Sequence, residues 1–435
     1  MVKKVETAIV KLWGNTVGAL AWLDDRSYAI FEYDPDFLKK GLDISPIHMS
    51  LNAARRGDGK FSFSTLSKET FLGLPGLLAD VLPDKFGNSI IDTWLARKGR
   101  DGASFGPLER LCYIGKRGMG ALEFEPATMD KFDKSISVEM SDLVALAQDV
   151  MKDRKGLKTE LGSSENENAD AILDILRVGT SAGGARPKAV IAMDDKGSVR
   201  SGQVKAPAGY DYWLLKFDGV TDLELGEPRG YGRIEYAYYL MAKAAGINMT
   251  ECRLLEENGR AHFMTKRFDR VNEKKLHMQS LCGIAHYDFN MAGAYSYEQV
   301  FTVMRKLRLS KVEAAEQYRR MVFNIVARNL DDHTKNISFL MTTDGKWNLS
   351  PAYDVTYAHN PAGKWTNQHQ MSVNNKRDNF DLLDLITVAE SISLNKAEEI
   401  INDVVSATEK WPEFAALAGI RSSVTEEIKA NHQLL

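Results

Sequence analysis

The chain has 435 residues, 44% of them hydrophobic and 26% charged, which is long enough for two or three subdomains of an ordinary globular protein. The formal charge is −3, from 56 basic and 59 acidic residues, so the composition does not require a dominant nucleic-acid-binding surface. No apolar run approaches the length of a membrane span and the N-terminus lacks a basic-then-apolar signal pattern, so we expect a cytoplasmic protein with no membrane partner.

Residues 1–125 predict an N-terminal α+β subdomain. The segments Thr7–Trp13, Val17–Leu23 and Tyr28–Tyr33 alternate in hydrophobicity between turn residues, which predicts an antiparallel meander. A helical pattern with one break follows, and strand and loop character returns from Leu111 to Glu125. The sequence of this subdomain does not indicate a particular chemistry.

Residues 126–275 predict a connector followed by an α/β region with a Gly-rich loop. A helix is expected from Ser141, a good N-cap, to Lys152. The stretch Gly179–Lys188 contains three glycines and two alanines before an apolar strand, so its amides can approach an anion closely. No Gly-Lys-Ser/Thr follows, so the stretch is not a Walker loop, and a Gly-rich hairpin is the alternative that its composition leaves open.

The next predicted strand, Trp213–Phe217, carries Lys216 in an apolar run. A lysine is costly to bury without a partner, so Lys216 either pairs with phosphate, as the strand lysine of kinases does, or faces solvent. Glu235 near the start of the following helix is a candidate partner, although a glutamate there also favours the helix dipole. A hairpin across Asn258-Gly259 ends at Thr265–Arg270, which predicts a hinge leaving the sheet.

Residues 276–435 predict a mostly helical part, with helices near 296–308, 311–330, 380–392, 395–410 and 423–434. Four residues of types that can bind metals occur early in this part without a common zinc spacing, so we interpret them as loop and packing residues: His277, Cys282, His286 and Asp288. The cysteines of the chain also lack paired spacing, so we expect each to fill core space: Cys112, Cys252 and Cys282.

A polar turn at residues 329–336 lies between a helical pattern and the buried strand Ile337–Met341. Asp331 and Asn336 are five positions apart, and Asp354 follows 18 residues later, past a predicted hairpin. A carboxylate for the attacking hydroxyl, an Asn a few residues on and a second Asp form the arrangement of a phosphoryl-transfer site. Mg²⁺ needs few protein oxygens, so one Asn and one Asp are sufficient. The alternative is a turn whose side chains only cap the backbone.

Four stretches in order resemble the HipA family, the serine/threonine kinase toxins of bacterial toxin–antitoxin modules. They are Ser181–Lys188, Arg267–Arg270, Leu330–Asn336 and Pro351–Val355. The resemblance covers nearly the whole chain, including the N-terminal strands. It implies an α+β fold that is HipA-like and distantly protein-kinase-like, with a mixed α/β N-terminal part and an all-α C-terminal part that carries the catalytic residues.

The resemblance implies ATP and Mg²⁺ as cofactors and a role for each matching residue. Asp331 corresponds to the catalytic Asp, which orients the substrate hydroxyl or accepts its proton. Asn336 and Asp354 correspond to the Mg²⁺ ligands. Lys216 corresponds to the lysine on the ATP phosphates.

The other ATP-binding positions follow in the same way. Lys266 and Phe268 match the hinge around adenine, and His333 and Asn336 count among the nucleotide-binding residues. The phosphate loop is matched by Ser181, Ala182, Gly183, Gly184, Ala185, Arg186 and Lys188. Ser181 falls where the family carries a serine that it autophosphorylates, which ejects the loop and silences the kinase.

Three features depart from the family pattern. Asp332 stands where some members have Gly, and it either points away from the site or alters metal binding. Pro187 replaces an often acidic or polar residue and stiffens the loop. Residues 281–290 occur in only some members, so the substrate can differ.

The resemblance also implies partners. A helix-turn-helix antitoxin (HipB-like) is expected, with DNA contacted mainly through it, and the family precedent for a protein substrate is an aminoacyl-tRNA synthetase, which nothing in this sequence selects. A small-molecule phosphotransferase would use the same residues, and a non-catalytic corepressor of a DNA-binding antitoxin complex would not need them. A hydrolase using Asp331, His333 and Asp354 lacks a visible nucleophile–base pair.

Overall fold

The computed structural model describes residues 5–97, 99–128, 135–153, 187–219, 230–271 and 274–434. The chain divides into two compact units. Unit 1 comprises residues 1–43, 51–229 and 253–278, and unit 2 comprises residues 44–50, 230–252 and 279–435. Helices and antiparallel strands occur in both units, which confirms the expected α+β class. The three-part domain division expected from the sequence stays a prediction.

Unit 1 begins with a five-stranded sheet in the order β4-β3-β2-β1-β5. Its strands are β1 (Thr7–Leu12), β2 (Asn15–Leu23), β3 (Tyr28–Tyr33), β4 (Lys60–Phe61) and β5 (Leu122–Glu125). Outward and buried residues alternate along β1, because one face of the sheet packs on the core. The antiparallel pairing of β1, β2 and β3 confirms the predicted meander.

The helices of unit 1 are α1 (Pro35–Lys40), α2 (Leu51–Arg56), α3 (Lys68–Phe71), α4 (Gly76–Ala79), α5 (Lys85–Arg97), α6 (Pro107–Ile114) and α7 (Met140–Asp153). The helix α7 confirms the one predicted within the connector, from Ser141 to Lys152. The expected strand and loop character is wrong for residues 111–114, because these belong to α6. This helix begins at a proline, and the Glu109 carboxylate accepts the Gly106 N–H at 2.9 Å in its first turn.

A second five-stranded sheet of unit 1 has the order β7-β6-β8-β10-β9. Its strands are β6 (Lys188–Met193), β7 (Val199–Ser201), β8 (Asp211–Lys216), β9 (Cys252–Glu257) and β10 (Arg260–Lys266), followed by a ribbon of β11 (Arg270–Val271) and β12 (Lys274–Lys275). The strand at Lys216 and the hairpin across Asn258-Gly259 are confirmed. Buried residues of the sheet, such as Trp213, pack against α5 and α7 residues such as Ile90 and Leu143 to form one core.

Unit 2 is mostly helical, as the sequence predicts. Its helices are α8 (Tyr231–Ala244), α9 (Leu281–Ala285), α10 (Tyr297–Lys306), α11 (Lys311–Val326), α12 (Leu382–Ser391), α13 (Ala397–Glu409), α14 (Trp411–Leu417) and α15 (Ser422–Asn431). Ser296 and Ser310 cap α10 and α11, because each hydroxyl accepts a backbone N–H of the first turn. The short helix α14 was not predicted.

The helix α11 leads into the polar turn. Its predicted apolar stripe is confirmed, because Tyr318, Met321 and Ile325 are fully buried. The helix ends at Val326 and not at the predicted residue 330, because Arg328 adopts a left-handed φ of 58°. The chain then enters β14 (Ser338–Met341), which confirms the predicted strand and lies between β13 (His277–Ser280) and β15 (Trp347–Leu349) in a small sheet.

Two further expectations concern composition. All three cysteines are buried, as expected for core positions. Burial raises the pKa of the Cys112 thiol to about 12. No helix in the described part of the chain is both long enough and apolar enough to cross a membrane.

Candidate active site

The turn that carries Asp331 is fixed at both ends by backbone and side-chain hydrogen bonds. The Leu330 N–H donates to the Ala358 carbonyl and the Ala358 N–H donates to the Arg328 carbonyl, both at 3.1 Å. The Asn336 Nδ2 donates to the Asp331 carbonyl at 2.7 Å. The structure therefore brings Asp331 and Asn336 together, and the Asn336 amide oxygen is left as an acceptor.

Asp354 follows the β14–β15 hairpin and is tied to the same turn. The Tyr353 hydroxyl donates to the Lys335 carbonyl at 2.6 Å, which links the residue before Asp354 to the residue before Asn336. Asp354 has a left-handed φ of 52°, a conformation that non-glycine residues rarely adopt and that often marks functional sites. Asn336 and Asp354 line one cavity of about 30 Å³.

The donors at this cavity suit Mg²⁺. Asp354 contributes a carboxylate, and Asn336 contributes an amide oxygen, which are hard oxygen ligands of the type that Mg²⁺ prefers. Among the described residues, no cluster of three or more His, Cys, Asp or Glu side chains could hold a metal ion. A site with two protein ligands nevertheless fits Mg²⁺, because this ion keeps several waters and phosphate oxygens in its shell.

Asp332, beside the candidate catalytic residue, belongs to a buried hydrogen-bond network and is only 2% exposed. Its Oδ2 accepts the Tyr297 hydroxyl at 2.9 Å and lies 2.9 Å from His369 Nδ1. Its Oδ1 accepts the Gln370 N–H at 2.7 Å. Burial and the neighbouring Asp332 charge raise the pKa of Tyr297 well above its usual value. Asp332 therefore anchors the turn to the core of unit 2, which favours a structural role over metal binding.

Aromatic rings surround the Asp331 carboxylate, which is 40% exposed. The Trp365 indole N–H donates to Asp331 Oδ1 at 2.6 Å, and His333 Nε2 lies 3.8 Å from the same oxygen. The His333 ring centroid lies 6.2 Å from that of Trp365 and 5.5 Å from that of Phe289. Neither Trp365 nor Phe289 was predicted as a site residue, because neither position forms a local sequence pattern with Asp331.

Lys216 and Lys188 occupy directly opposite positions on β8 and β6 in unit 1. Directly opposite side chains of antiparallel strands lie on the same face, so the two lysines are neighbours. Lys188 is 4% exposed, and Lys216 is half-buried with its Nζ 5.7 Å from the Phe263 ring centroid. The Phe217 N–H donates to the Pro187 carbonyl at 3.2 Å, which places the end of the Gly-rich loop beside this pair.

The predicted hinge contains a buried charge cluster. Asp269 is bound by Arg267 through both carboxylate oxygens (2.9 and 2.7 Å) and by Arg270 at 2.6 Å. Burial alone would raise the pKa of Asp269, but the two guanidinium groups and the Gly120 N–H hold it well below its usual range. Lys266 pairs with Asp211 at 2.6 Å, and Phe268 lies half-buried in the turn that follows.

Some predicted positions have no described counterpart or lie in the other unit. Glu235, the candidate partner of Lys216, is buried in α8 of unit 2, whereas Lys216 belongs to unit 1. The predicted phosphate loop lies outside the described residues. This applies to Ser181, Ala182, Gly183, Gly184, Ala185 and Arg186.

Two family models match the chain. The HipA N-terminal domain matches residues 8–125, and the HipA-like C-terminal domain matches residues 180–411. No curated protein sequence matches.

Solved structures show a related fold. A chain of the HipA, HipB and operator DNA complex from the Shewanella oneidensis MR-1 toxin–antitoxin system is 16% identical, with a TM-score of 0.66 over 97% of this chain and 95% of that chain. The proinflammatory kinase CtkA of Helicobacter pylori is 14% identical, with a TM-score of 0.32 over 51% of this chain and 88% of that chain, a score too low to support an inference. The first comparison confirms the expected HipA-like fold.

Proposed function

The chain belongs to the HipA family, and from this premise we propose that it is an ATP- and Mg²⁺-dependent serine/threonine protein kinase of the toxin type. The observation that carries the proposal is the rigid turn in which Asn336 bonds to Asp331 while Asn336 and Asp354 line one cavity. That arrangement supplies a carboxylate for an acceptor hydroxyl, an amide oxygen five residues on and a second carboxylate after the following hairpin, as phosphoryl transfer requires.

Asp331 is the proposed catalytic residue. Its carboxylate is 40% exposed, so an acceptor hydroxyl can reach it. The carboxylate would orient that hydroxyl and take its proton as the oxygen attacks phosphorus, which contributes about 10²–10⁴ in rate. Because Asn336 and the Leu330 N–H hold the backbone of this turn, little reorganisation is needed when the acceptor binds.

Asn336 and Asp354 are the proposed Mg²⁺ ligands. The bound ion would neutralise charge on the phosphate oxygens. The bond from Asn336 Nδ2 to the Asp331 carbonyl leaves the amide oxygen for the metal, so a single hydrogen bond sets the amide orientation. The left-handed backbone of Asp354 is consistent with a position held for function at some cost in strain.

Lys188 and Lys216 are the proposed phosphate-binding lysines of unit 1, because their directly opposite strand positions place two basic side chains on one face of the sheet. The Gly-rich loop that leads into β6 would add backbone N–H groups that bind the phosphates. The proposed loop residues are Ser181, Ala182, Gly183, Gly184, Ala185 and Arg186. We assign Lys266, Phe268 and His333 to the nucleotide on the family resemblance alone.

Regulation and partners complete the proposal. Phosphorylation of Ser181 would add about 1.5–2 negative charges to the loop and repel nucleotide phosphates.

The Shewanella complex contains HipB and operator DNA, and we propose a helix-turn-helix antitoxin (HipB-like) for this chain, with DNA contacted mainly through it. An aminoacyl-tRNA synthetase remains the family precedent for the protein substrate. The proposed location of the protein is the cytoplasm.

Intact-mass spectrometry after incubation with MgATP tests the proposal. We expect one added phosphate on the wild-type chain, mapped to Ser181, and none on Ser181→Ala. Asp331→Asn should incorporate phosphate at least about a hundredfold more slowly. The matched control is Asp344→Asn, an exposed carboxylate on the β14–β15 hairpin of the same unit, which should react at the wild-type rate.

Other outcomes identify the alternatives. Transfer to a small molecule without self-labelling would indicate a small-molecule phosphotransferase. A folded wild-type chain that binds an antitoxin and transfers no phosphate to any acceptor would indicate a corepressor. Wild-type turnover in Asp331→Asn would remove Asp331 from the mechanism.

A further inference from the structure

Trp365 contacts the candidate catalytic carboxylate from a distant part of the chain. It lies in the irregular segment between β15 and α12, 34 residues beyond Asp331, and its indole N–H donates to Asp331 Oδ1 at 2.6 Å. The acceptor is a carboxylate, and hydrogen bonds to charged groups are shorter and stronger than neutral ones. The contact is therefore strong enough to influence the orientation of the Asp331 side chain.

The backbone around Trp365 is held on both sides. The Asn360 N–H donates to the Thr366 carbonyl at 2.9 Å, which closes a loop that contains Trp365. Five residues further on, the Gln370 N–H donates to Asp332 Oδ1 at 2.7 Å. The Gln370 side chain also donates to the Trp365 carbonyl. One segment thus contacts two adjacent carboxylates, through the indole at Asp331 and through the backbone at Asp332.

The described residues that approach the Asp331 carboxylate do so at one oxygen. The Trp365 N–H and the His333 ring both lie at Oδ1, at 2.6 and 3.8 Å. The carboxylate nevertheless remains 40% exposed. An acceptor hydroxyl that approaches from solvent can therefore use Oδ2 without displacing the indole.

We propose that Trp365 is a positioning residue, which holds Asp331 by Oδ1 so that Oδ2 receives the acceptor hydroxyl. The inference rests on the proposed kinase function. A fixed carboxylate rotamer raises the fraction of encounters with correct geometry. The opposite role, an indole that blocks the acceptor, predicts a faster enzyme when the N–H is removed.

The variant Trp365→Phe keeps an aromatic ring and removes the N–H donor. We expect its rate constant for phosphate incorporation at saturating MgATP to fall about tenfold to a hundredfold, the value of a hydrogen bond to a charged group. The ATP concentration for half-maximal rate should not change.

A comparison of Trp365→Phe with Trp365→Leu separates the effect of the N–H on the rate from the effect of ring packing. If the N–H carries the effect, the Phe and Leu variants lose rate to the same extent. If only Leu loses rate, ring packing matters and the positioning role is overturned. Thermal melting of both variants identifies any loss of rate that comes from unfolding. A lower rate constant with an unchanged ATP concentration for half-maximal rate in the Phe variant distinguishes positioning from a structural role.

A spectroscopic measurement tests the contact without any turnover. In protein labelled with ¹⁵N-tryptophan, the Trp365 indole N–H signal is identified by its absence from the spectrum of Trp365→Phe. This signal should shift in Asp331→Asn, because the acceptor of the hydrogen bond loses its charge. A shift in a chain that transfers no phosphate would leave the contact standing and reject the proposed function. An active wild-type chain whose Trp365→Phe variant is as fast or faster would reject the positioning role alone.

Discussion

Replacement of Asp332 by alanine should destabilise unit 2 by about 3 kcal/mol. The change leaves two buried donors, the Gln370 N–H and the Tyr297 hydroxyl, without their acceptor, and it also removes the contact with His369 Nδ1. Each such donor costs about 1–3 kcal/mol, so the pair costs about 2–6 kcal/mol. Removal of the carboxylate also removes its own desolvation penalty, which offsets part of that loss.

Two matched variants test this reasoning. Asp332→Asn keeps an oxygen for the Gln370 N–H and places an amide beside the Tyr297 hydroxyl, so it should lose about 1 kcal/mol. Asp331→Ala removes the neighbouring carboxylate, which is 40% exposed and accepts one indole hydrogen bond, and should lose less than Asp332→Ala.

Urea unfolding followed by circular dichroism measures the effect. A loss of 3 kcal/mol should lower the unfolding midpoint by about 1–3 M, since the slope is about 1–3 kcal/mol per molar urea. The chain has two compact units, so where more than one transition is seen the midpoint of the affected transition is the quantity to compare. Equal losses for Asp331→Ala and Asp332→Ala would refute the anchoring role of Asp332.

Three further predictions concern the metal, the hinge and pH. Asp354→Ala should weaken Mg²⁺-dependent nucleotide binding more than Asp332→Asn does, and nucleotide titrations with and without Mg²⁺ would contradict this if the order were reversed. Asp269→Asn leaves two buried guanidinium groups without their shared carboxylate, which should lower the free energy of unfolding by about 3–5 kcal/mol in urea titrations. Burial lowers the pKa of His432 to about 4 and, with a neighbouring histidine, that of His286 to about 3. The unfolded chain, with a pKa of about 6.5, takes up protons first, so stability should fall as pH drops below that value, and less so in His432→Gln.

The sequence predicted elements whose signal is local. Alternation in β1 to β3 and the buried stripe of Tyr318, Met321 and Ile325 each reflect one face packed on a core, and the structure confirms them. Helix α6 escaped prediction over residues 111–114, because those four residues are all buried and so show no polar face of their own.

The candidate site also has a local part, which the sequence predicted, and contacts from distant residues, which it did not. Asp331 and Asn336 lie within one turn, so their spacing alone placed them together. The partners of the two carboxylates are Trp365, His369 and Gln370, which lie 34 to 38 residues further along an irregular segment. Such contacts depend on the path of the chain between β15 and α12, for which the sequence carries no periodic signal. The assignment of catalytic and ligand roles stays a prediction until phosphoryl transfer is measured.

The contrast between the adjacent carboxylates explains how a surface turn can hold a reactive group in place. Asp332 is 2% exposed and Asp331 is 40% exposed, yet both are bound by the segment from Trp365 to Gln370. A hydrogen bond at an exposed position alone has to compete with water, whereas the buried bonds of Asp332 do not. The buried carboxylate therefore fixes the segment, and the segment in turn carries the indole to the exposed carboxylate. It follows that a substitution at His369, which contacts only Asp332 of this pair, should reduce phosphoryl transfer through the orientation of Asp331.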